Sequence, residues 1–240
     1  MAIIIPAILP SSREDLEQKL AQASLVATAV QIDAVDGVFV SPASWPYQNK
    51  STGGPVAAIP SPLPHLDTLQ IEVDLMVTAV EGIALEWIAS GVTRVLVHLE
   101  STTELGHFIT AFNERYGHEK GFASELLSFG VAIHAETNTE LIEPYLDNID
   151  YVQFMGITRI GVQGQPFSDG VLNKIKRFRA KHPTVPVQVD GGVSLLTAPA
   201  LLDAGVSRLV VGSALWRAPN FNEAYEKFVE LTLSHGLYEH

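Results

Sequence analysis

Apolar residues along this chain gather in short continuous runs, which are separated by longer amphipathic stretches. Eight runs have the length of strands and are apolar at nearly every position rather than at alternate ones. Such runs are typical of parallel strands that are buried on both faces. The predicted strands are Ile3–Leu9, Ala27–Asp33, Ile71–Val77, Arg94–His98, Val131–His134, Tyr151–Met155, Val185–Val189 and Leu209–Val211.

The intervening stretches carry apolar residues at helical spacing and predict seven helices, the last of which follows the eighth strand. Ser12 and Ser194 stand where N-caps belong, and Gly91, Gly130 and Gly205 stand just past predicted helix ends. The predicted helices are Arg13–Ala23, Val80–Ser90, Thr103–Tyr116, Thr139–Leu146, Asp169–Lys181, Leu195–Ala204 and Asn220–Ser234.

This alternation predicts an α/β fold, a (β/α)8 TIM barrel that forms a single domain over residues 1–240. One unit departs from it, because prolines and glycines crowd residues 37–67 and exclude a long second helix there. Two interpretations of this excursion stay open. It is a functional lid or interface arm, or it only covers the barrel wall. Residues 117–129 are expected to form a smaller insertion.

Composition narrows the classes of function. The 27 acidic and 15 basic residues give a net charge of −12, which opposes binding to nucleic acid. The chain has no cysteine, so it offers neither disulfides nor thiolate metal ligands. No apolar run reaches the roughly 18 residues of a membrane span. The apolar N-terminus lacks a basic lead and is broken by Pro6, unlike a signal peptide. We expect a soluble cytoplasmic protein that does not bind membranes.

Candidate chemistry lies at the ends of the last two strands. Asp190, at the end of a strand, is followed by Gly191 and Gly192, which let the backbone approach a ligand closely. Gly212 and Ser213 repeat the arrangement after the eighth strand. Because β/α barrels build phosphate sites after these two strands, the four loop residues predict a phosphate site beside a carboxylate.

Ordered motifs on successive strand ends carry a resemblance to a known family. The motifs are Pro6–Leu9, Ile32–Val40, Val73–Val77, His98–Glu100, Phe154-Met155, Gly164–Phe167, Val189–Val193 and Gly212–Ala214. Over nearly its whole length the chain resembles the ribulose-phosphate 3-epimerase family. The resemblance implies a barrel that inverts C3 of a small phosphorylated sugar, interconverting D-ribulose 5-phosphate and D-xylulose 5-phosphate.

The same resemblance implies roles for residues at matching positions. Asp33 and Asp190 match the family's acid and base, which also bind a divalent metal together with two histidines. Met76 and Met155 match two methionines that cap the site, and Gly164 matches the strand-six loop that helps to bind the phosphate.

Two substitutions change the implied metal site, because Gln31 and Asp74 occupy the histidine positions. If Gln31, Asp33, Asp74 and Asp190 form an all-oxygen set, they favour magnesium or manganese over zinc. A site without metal stays open. Three carboxylates without a cation raise the pKa of at least one, leaving one protonated and one ionised.

Rival functions and roles also stay open. A catalytically silent paralogue would keep the phosphate site for binding or regulation. Aldol-type or decarboxylative chemistry on a sugar phosphate is disfavoured, because the third strand has no lysine. Asp36 is expected to cap a turn, His98 and Glu100 to form a buried supporting pair, and Arg159 to reach the phosphate or pair with a surface acid. Homo-oligomerisation is left undecided.

Overall fold

The computed structural model describes residues 2–48, 58–116, 126–161 and 164–237. Its eight strands are parallel and close into a barrel in chain order, with the last strand paired to the first. The (β/α)8 TIM barrel predicted from the hydrophobic pattern is therefore confirmed. The strands are β1 (Ile3–Ile8), β2 (Ala29–Val35), β3 (Gln70–Met76), β4 (Arg94–His98), β5 (Ser128–Ile133), β6 (Tyr151–Met155), β7 (Val187–Asp190) and β8 (Arg208–Val211).

Seven α-helices surround or cap this barrel within the described residues. They are α1 (Arg13–Ala23), α2 (Val80–Ala89), α3 (Leu105–Tyr116), α4 (Asp169–Lys181), α5 (Ala198–Asp203), α6 (Ser213–Trp216) and α7 (Phe221–Leu237). Ser12 caps α1 as predicted, since its side chain accepts a hydrogen bond from the Asp15 backbone. No described helix has the length and apolarity that crossing a membrane requires.

Two local predictions are wrong. The helix expected over Thr139–Leu146 is two short 3-10 helices, Thr139–Leu141 and Glu143–Asn148, because Pro144 at the start of the second cannot continue the hydrogen-bonding pattern of the first. Ser194 does cap the turn that leads into α5, since its Oγ accepts a hydrogen bond from the Thr197 backbone and its carbonyl accepts one from the Ala198 backbone.

Gly130 is the second case, since it lies inside β5 rather than after a helix. A Cβ built on Gly130 would lie 2.3 Å from the ring of Tyr151 on the neighbouring strand. The glycine makes room for a large aromatic side chain inside the barrel.

The described parts of the 37–67 excursion contain no helix and cover the barrel wall. Trp45, Tyr47 and Leu63 are buried in the main hydrophobic core. The Tyr47 hydroxyl accepts a hydrogen bond of 3.0 Å from Trp87 Nε1 on α2. These contacts favour the structural interpretation for these residues. The rest of the excursion, 49–57, lies outside the described residues, as does most of the insertion predicted over 117–129.

The barrel interior is unusually polar. Fully buried polar side chains project inward from β2, β3, β6 and β7 at matched heights, since Gln31 pairs with Glu72 in strand register and Gln153 with Gln188. Arg94, the register partner of Glu72 on β4, donates from Nε to Glu72 Oε2 at 2.9 Å. Buried polar groups need partners, so this interior is specified by hydrogen bonding as well as by packing.

Candidate active site

Two carboxylates face one pocket at the carboxyl ends of the strands. Asp33 lies near the end of β2 and Asp190 is the last residue of β7, and both line this pocket together with Met76 and Met155. The register places Asp190 beside Met155 on β6. The structure thus brings together four residues that lie far apart in the sequence.

Both carboxylates favour the neutral state more than an ordinary aspartate does. Asp33 is only 5% exposed, and burial raises its pKa well above the usual value, with the charges of Asp190 and Asp74 adding to the effect. Enclosure by protein, and then the charge of Asp74, raise the pKa of Asp190 to about 7. Asp190 reaches the pocket surface while Asp33 is deeper, so Asp190 is the carboxylate that ionises more easily.

Asp74 and Gln31 lie beneath the pocket and do not line it. Both are fully buried, and Asp74 stands beside Asp33 in strand register. His98 Nε2 lies 3.0 Å from Asp74 Oδ1, an ion-pair distance without hydrogen-bond alignment. Burial is the largest influence on the pKa of His98 and lowers it, but the close contact and charge of Asp74 together with the charges of Glu100 and Asp190 make the net shift upward. The ring of Phe39 packs over this imidazole, with centroids 5.5 Å apart.

The side-chain amides below the carboxylates have a fixed orientation. Gln188 Oε1 accepts from Arg208 Nε at 2.7 Å, which turns the Gln188 nitrogen toward Gln31 Oε1 and Gln153 Oε1 at 3.1 and 2.7 Å. Gln31 Nε2 then donates to Asp33 Oδ1 at 3.1 Å, and Gln153 Nε2 to Asp74 Oδ2 at 3.2 Å. Gln31 therefore presents N–H groups, not an oxygen, to the carboxylates.

This orientation does not fit the all-oxygen metal set of Gln31, Asp33, Asp74 and Asp190. A cation placed among the carboxylates would meet amide hydrogens, which carry partial positive charge. Within the four described ranges, no three His, Asp or Glu side chains are grouped so that they could hold a metal ion. The metal set stays a prediction, and the donor orientation counts against it.

The predicted phosphate-binding residues gather around the same pocket. Gly164, Gly191, Gly192, Gly212 and Ser213 all line it. Gly192 has a φ of +69°, and a Cβ there would lie 2.6 Å from the backbone of Phe167. Only glycine fits this contact, which holds the loops after β6 and β7 together.

Sequence reasoning missed a cation at this rim. The guanidinium of Arg217, just after α6, packs over Gly164, where a Cβ would lie 2.7 Å from Arg217 Nη1. Arg159, weighed as a phosphate ligand, is exposed, and its backbone carbonyl accepts a hydrogen bond from the Gln165 side chain. An arginine a few residues after a Gly-Ser strand end is the signal that could have identified Arg217.

Of two further predictions, the one for the His98–Glu100 pair fails and the one for Asp36 is confirmed. The predicted His98–Glu100 pair is wrong, because Glu100 Oε1 accepts from the backbone of His134 at 2.8 Å and from Thr137. Asp36 does hold its turn, accepting from the Val38 backbone at 2.7 Å. Its other oxygen accepts from the Thr78 backbone, which joins the loops after β2 and β3.

Gln153 and Gln188 were also missed. Each follows a valine inside an apolar strand, as Gln31 does, and stands two residues before a residue that lines the pocket. The repeated Val-Gln pair is the signal that could have identified them.

Fold and site together define a (β/α)8 barrel with acidic side chains and glycine-rich loops at the carboxyl ends of its strands. The chain belongs to the ribulose-phosphate 3-epimerase family, whose model matches residues 3–216. Ribulose-phosphate 3-epimerase of Rhodobacter capsulatus is 28% identical over 229 residues, covering 93% of this chain and 91% of the relative.

Ribulose-phosphate 3-epimerase of Schizosaccharomyces pombe is 34% identical over 134 residues, covering 56% of this chain and 54% of the relative, so that alignment spans about half of each protein. Among solved structures, that of KGPDC from Streptococcus mutans superposes with a TM-score of 0.66 and 14% identity, covering 96% of both chains. At this identity the likeness supports the fold alone.

Proposed function

We propose that this chain is an epimerase that inverts C3 of a ketose phosphate, interconverting D-ribulose 5-phosphate and D-xylulose 5-phosphate. The observation that carries the proposal is that Asp33 and Asp190 line one pocket with the glycine loops. A sugar whose phosphate lies in those loops would extend its carbon chain toward the two carboxylates. Family membership supports the same reaction.

The proposed chemistry is a pair of proton transfers. Asp190, the more easily ionised carboxylate, removes the C3 proton as the C–H electron pair moves toward C2 and the carbonyl oxygen becomes negative. Asp33, protonated because it is deeper, delivers a proton to C3 from the other face and restores the carbonyl. Their roles exchange in the reverse direction. The first transfer neutralises Asp190 as the substrate becomes anionic, so the net charge of the site is unchanged.

The phosphate would be bound by backbone N–H groups of the loops that carry Gly191, Gly192 and Gly212, together with the Ser213 hydroxyl. Arg217 at the rim adds a cation on the phosphate side of an otherwise acidic pocket. Met76 and Met155 give the sugar side an apolar lining.

Proton–deuteron exchange tests the proposal. Ribulose 5-phosphate incubated with the protein in D2O should lose its C3 proton signal by NMR, and xylulose 5-phosphate should appear. A protein that binds ribulose 5-phosphate but exchanges no proton, with or without added magnesium or manganese, would be a silent paralogue and would refute the epimerase proposal.

A further inference from the structure

The buried glutamines form a chain of hydrogen bonds with a single direction. Arginine has only donors, so Arg208 fixes the oxygen of Gln188 at one end. Gln188 Nε2 also donates to Glu72 Oε1 at 2.5 Å, a second anchor that requires nitrogen at this position. The orientation of Gln188 is thus determined from both sides.

The orientation of Gln188 influences the two glutamines that contact the carboxylates. The two hydrogens of Gln188 Nε2 face three oxygens, and Gln153 Oε1 at 2.7 Å is closer than Gln31 Oε1 at 3.1 Å. Gln153 therefore turns its nitrogen toward Asp74, and Gln31 keeps the same orientation because its own nitrogen faces Asp33 and Asp74. Turning either amide over would bring its N–H groups against those of Gln188 and its oxygen against a carboxylate. Neither amide can turn over alone without losing hydrogen bonds at both ends.

Asp74 at the upper end is enclosed by nitrogen. Its Oδ2 lies 3.2 Å from Gln153 Nε2 and 3.5 Å from Gln31 Nε2, while its Oδ1 faces His98 Nε2. A carboxylate surrounded in this way has its charge shared by fixed dipoles, as a cation would otherwise share it.

The lower end supplies positive charge. Arg94 and Arg208 both approach the single carboxylate of Glu72, at 2.9 and 3.8 Å, and all three side chains are buried. Arg94 also lies over the ring of Tyr151, 4.1 Å from its centroid. Two guanidinium groups against one carboxylate leave an excess positive charge below the acidic mouth.

We propose that Asp33 and Asp190 work without a divalent cation, and that Gln188 is a positioning residue that directs the amide protons of Gln31 and Gln153 at Asp33 and Asp74 in its place. The catalytic part of this inference depends on the proposed epimerase activity. Its metal-binding part does not, because it concerns only which atoms face the carboxylates.

Metal binding is tested on the wild-type chain by the electron paramagnetic resonance of added Mn²⁺ and by zinc analysis of the dialysed protein. We expect no tightly bound equivalent of either ion. About one equivalent of Mn²⁺ per chain that disappears in Asp33→Asn would overturn the inference. This measurement decides it even if the protein exchanges no C3 proton, in which case the proposed function fails separately.

The positioning role is tested by Gln188→Glu, which keeps the shape but replaces the amide donors with oxygen. We expect kcat for exchange to fall about 100-fold while KM changes less than about 2-fold, since the phosphate loops are untouched. An unchanged kcat in the folded variant would contradict the role.

Ser128→Ala is the matched control, because it removes a buried hydrogen bond of 3.2 Å to Arg94 outside the amide chain. It should lower the melting temperature and leave kcat unchanged. Should Gln188→Glu not fold, Gln153→Met removes the donor to Asp74 together with the acceptor for Gln188, with an expected fall of about 10-fold in kcat. Wild-type kcat in that variant would also refute the role.

Discussion

The two sides of the pocket are built from different parts of the polypeptide. The proposed phosphate side consists of backbone in the loops that carry Gly164, Gly191 and Gly212, and the acid side consists of side chains that contact a buried chain of amides. A binding site made of backbone is disrupted by substitutions that add side-chain atoms. A site made of side chains is disrupted by substitutions such as Asp to Asn or Gln to Glu, which keep the shape but change which atoms donate hydrogen bonds.

The sharpest test of the acid side is Asp190→Asn, which preserves shape and removes the base. We expect exchange to fall by at least about 1,000-fold, within the range of acid–base contributions, while affinity for inorganic phosphate stays the same. NMR exchange and calorimetric titration measure the two quantities. Asp203→Asn, the same change at an exposed site on α5, should alter neither. If Asp190→Asn lowered phosphate affinity as strongly as it lowered exchange, Asp190 would contribute to phosphate binding and the two sides would not be separate.

The corresponding test of the phosphate side is Gly192→Ala. A Cβ there meets the Phe167 backbone at a φ of +69°, so the loop must shift. We expect KM for ribulose 5-phosphate to rise about 10- to 100-fold with a smaller effect on kcat, measured in a coupled assay. Gly170→Ala is the control, because the nearest atom to its Cβ is Ser168 Oγ at 4.0 Å. A normal KM in the Gly192 variant would remove this loop from the binding site.

Arg217→Gln should have a milder effect on the same side. The guanidinium is exposed, so losing its attraction to phosphate should raise KM about 5-fold, and the rise should shrink in high salt. Arg177→Gln on the exposed face of α4 removes the same charge far from Gly164 and is the control. If the two variants behave alike, Arg217 acts only through the net charge of the protein.

The smallest expected effect is on stability and depends on pH. The folded pKa of Asp190 is raised above its unfolded value, so the folded state keeps a proton that the unfolded chain releases between about pH 4 and pH 7. Asp190 therefore costs stability as pH rises through this window. Asp190→Asn should raise the melting temperature by a few degrees at pH 8 and by less at pH 5, measured by calorimetry. An equal change at both pH values would contradict the raised pKa.

The residues of the glycine loops could be predicted from the sequence, whereas the buried glutamines beneath the carboxylates could not. Gly191, Gly192 and Gly212 were recognised because glycine at a strand end has a local meaning, and Asp190 because it stands beside them. Gln153 and Gln188 were missed because a glutamine in an apolar strand acquires its role only from residues far away in the chain, such as Arg208. Which hydrogen faces which oxygen is decided by strand register, and no linear pattern reveals it.

The fold itself was predictable because buried parallel strands have a strong local pattern, and β4 and β6 have the predicted ends. The crossover after β5 was not, since Pro144 divides what looked like one amphipathic helix. The supporting role given to Glu100 failed because Leu99–Ser101 is a 3-10 turn, which directs Glu100 to the loop after β5 instead of into the barrel.

The single direction of the buried hydrogen-bond chain also limits which substitutions its residues tolerate. Arg208, Gln188 and Glu72 determine one another, so a random change at any one of them leaves the others mismatched in a space that water does not reach. Mutational scanning should find these positions nearly invariant one at a time, whereas the loop surface around Arg159 accepts many residues. We expect a tolerated change in this interior to require substitutions at several of these positions together.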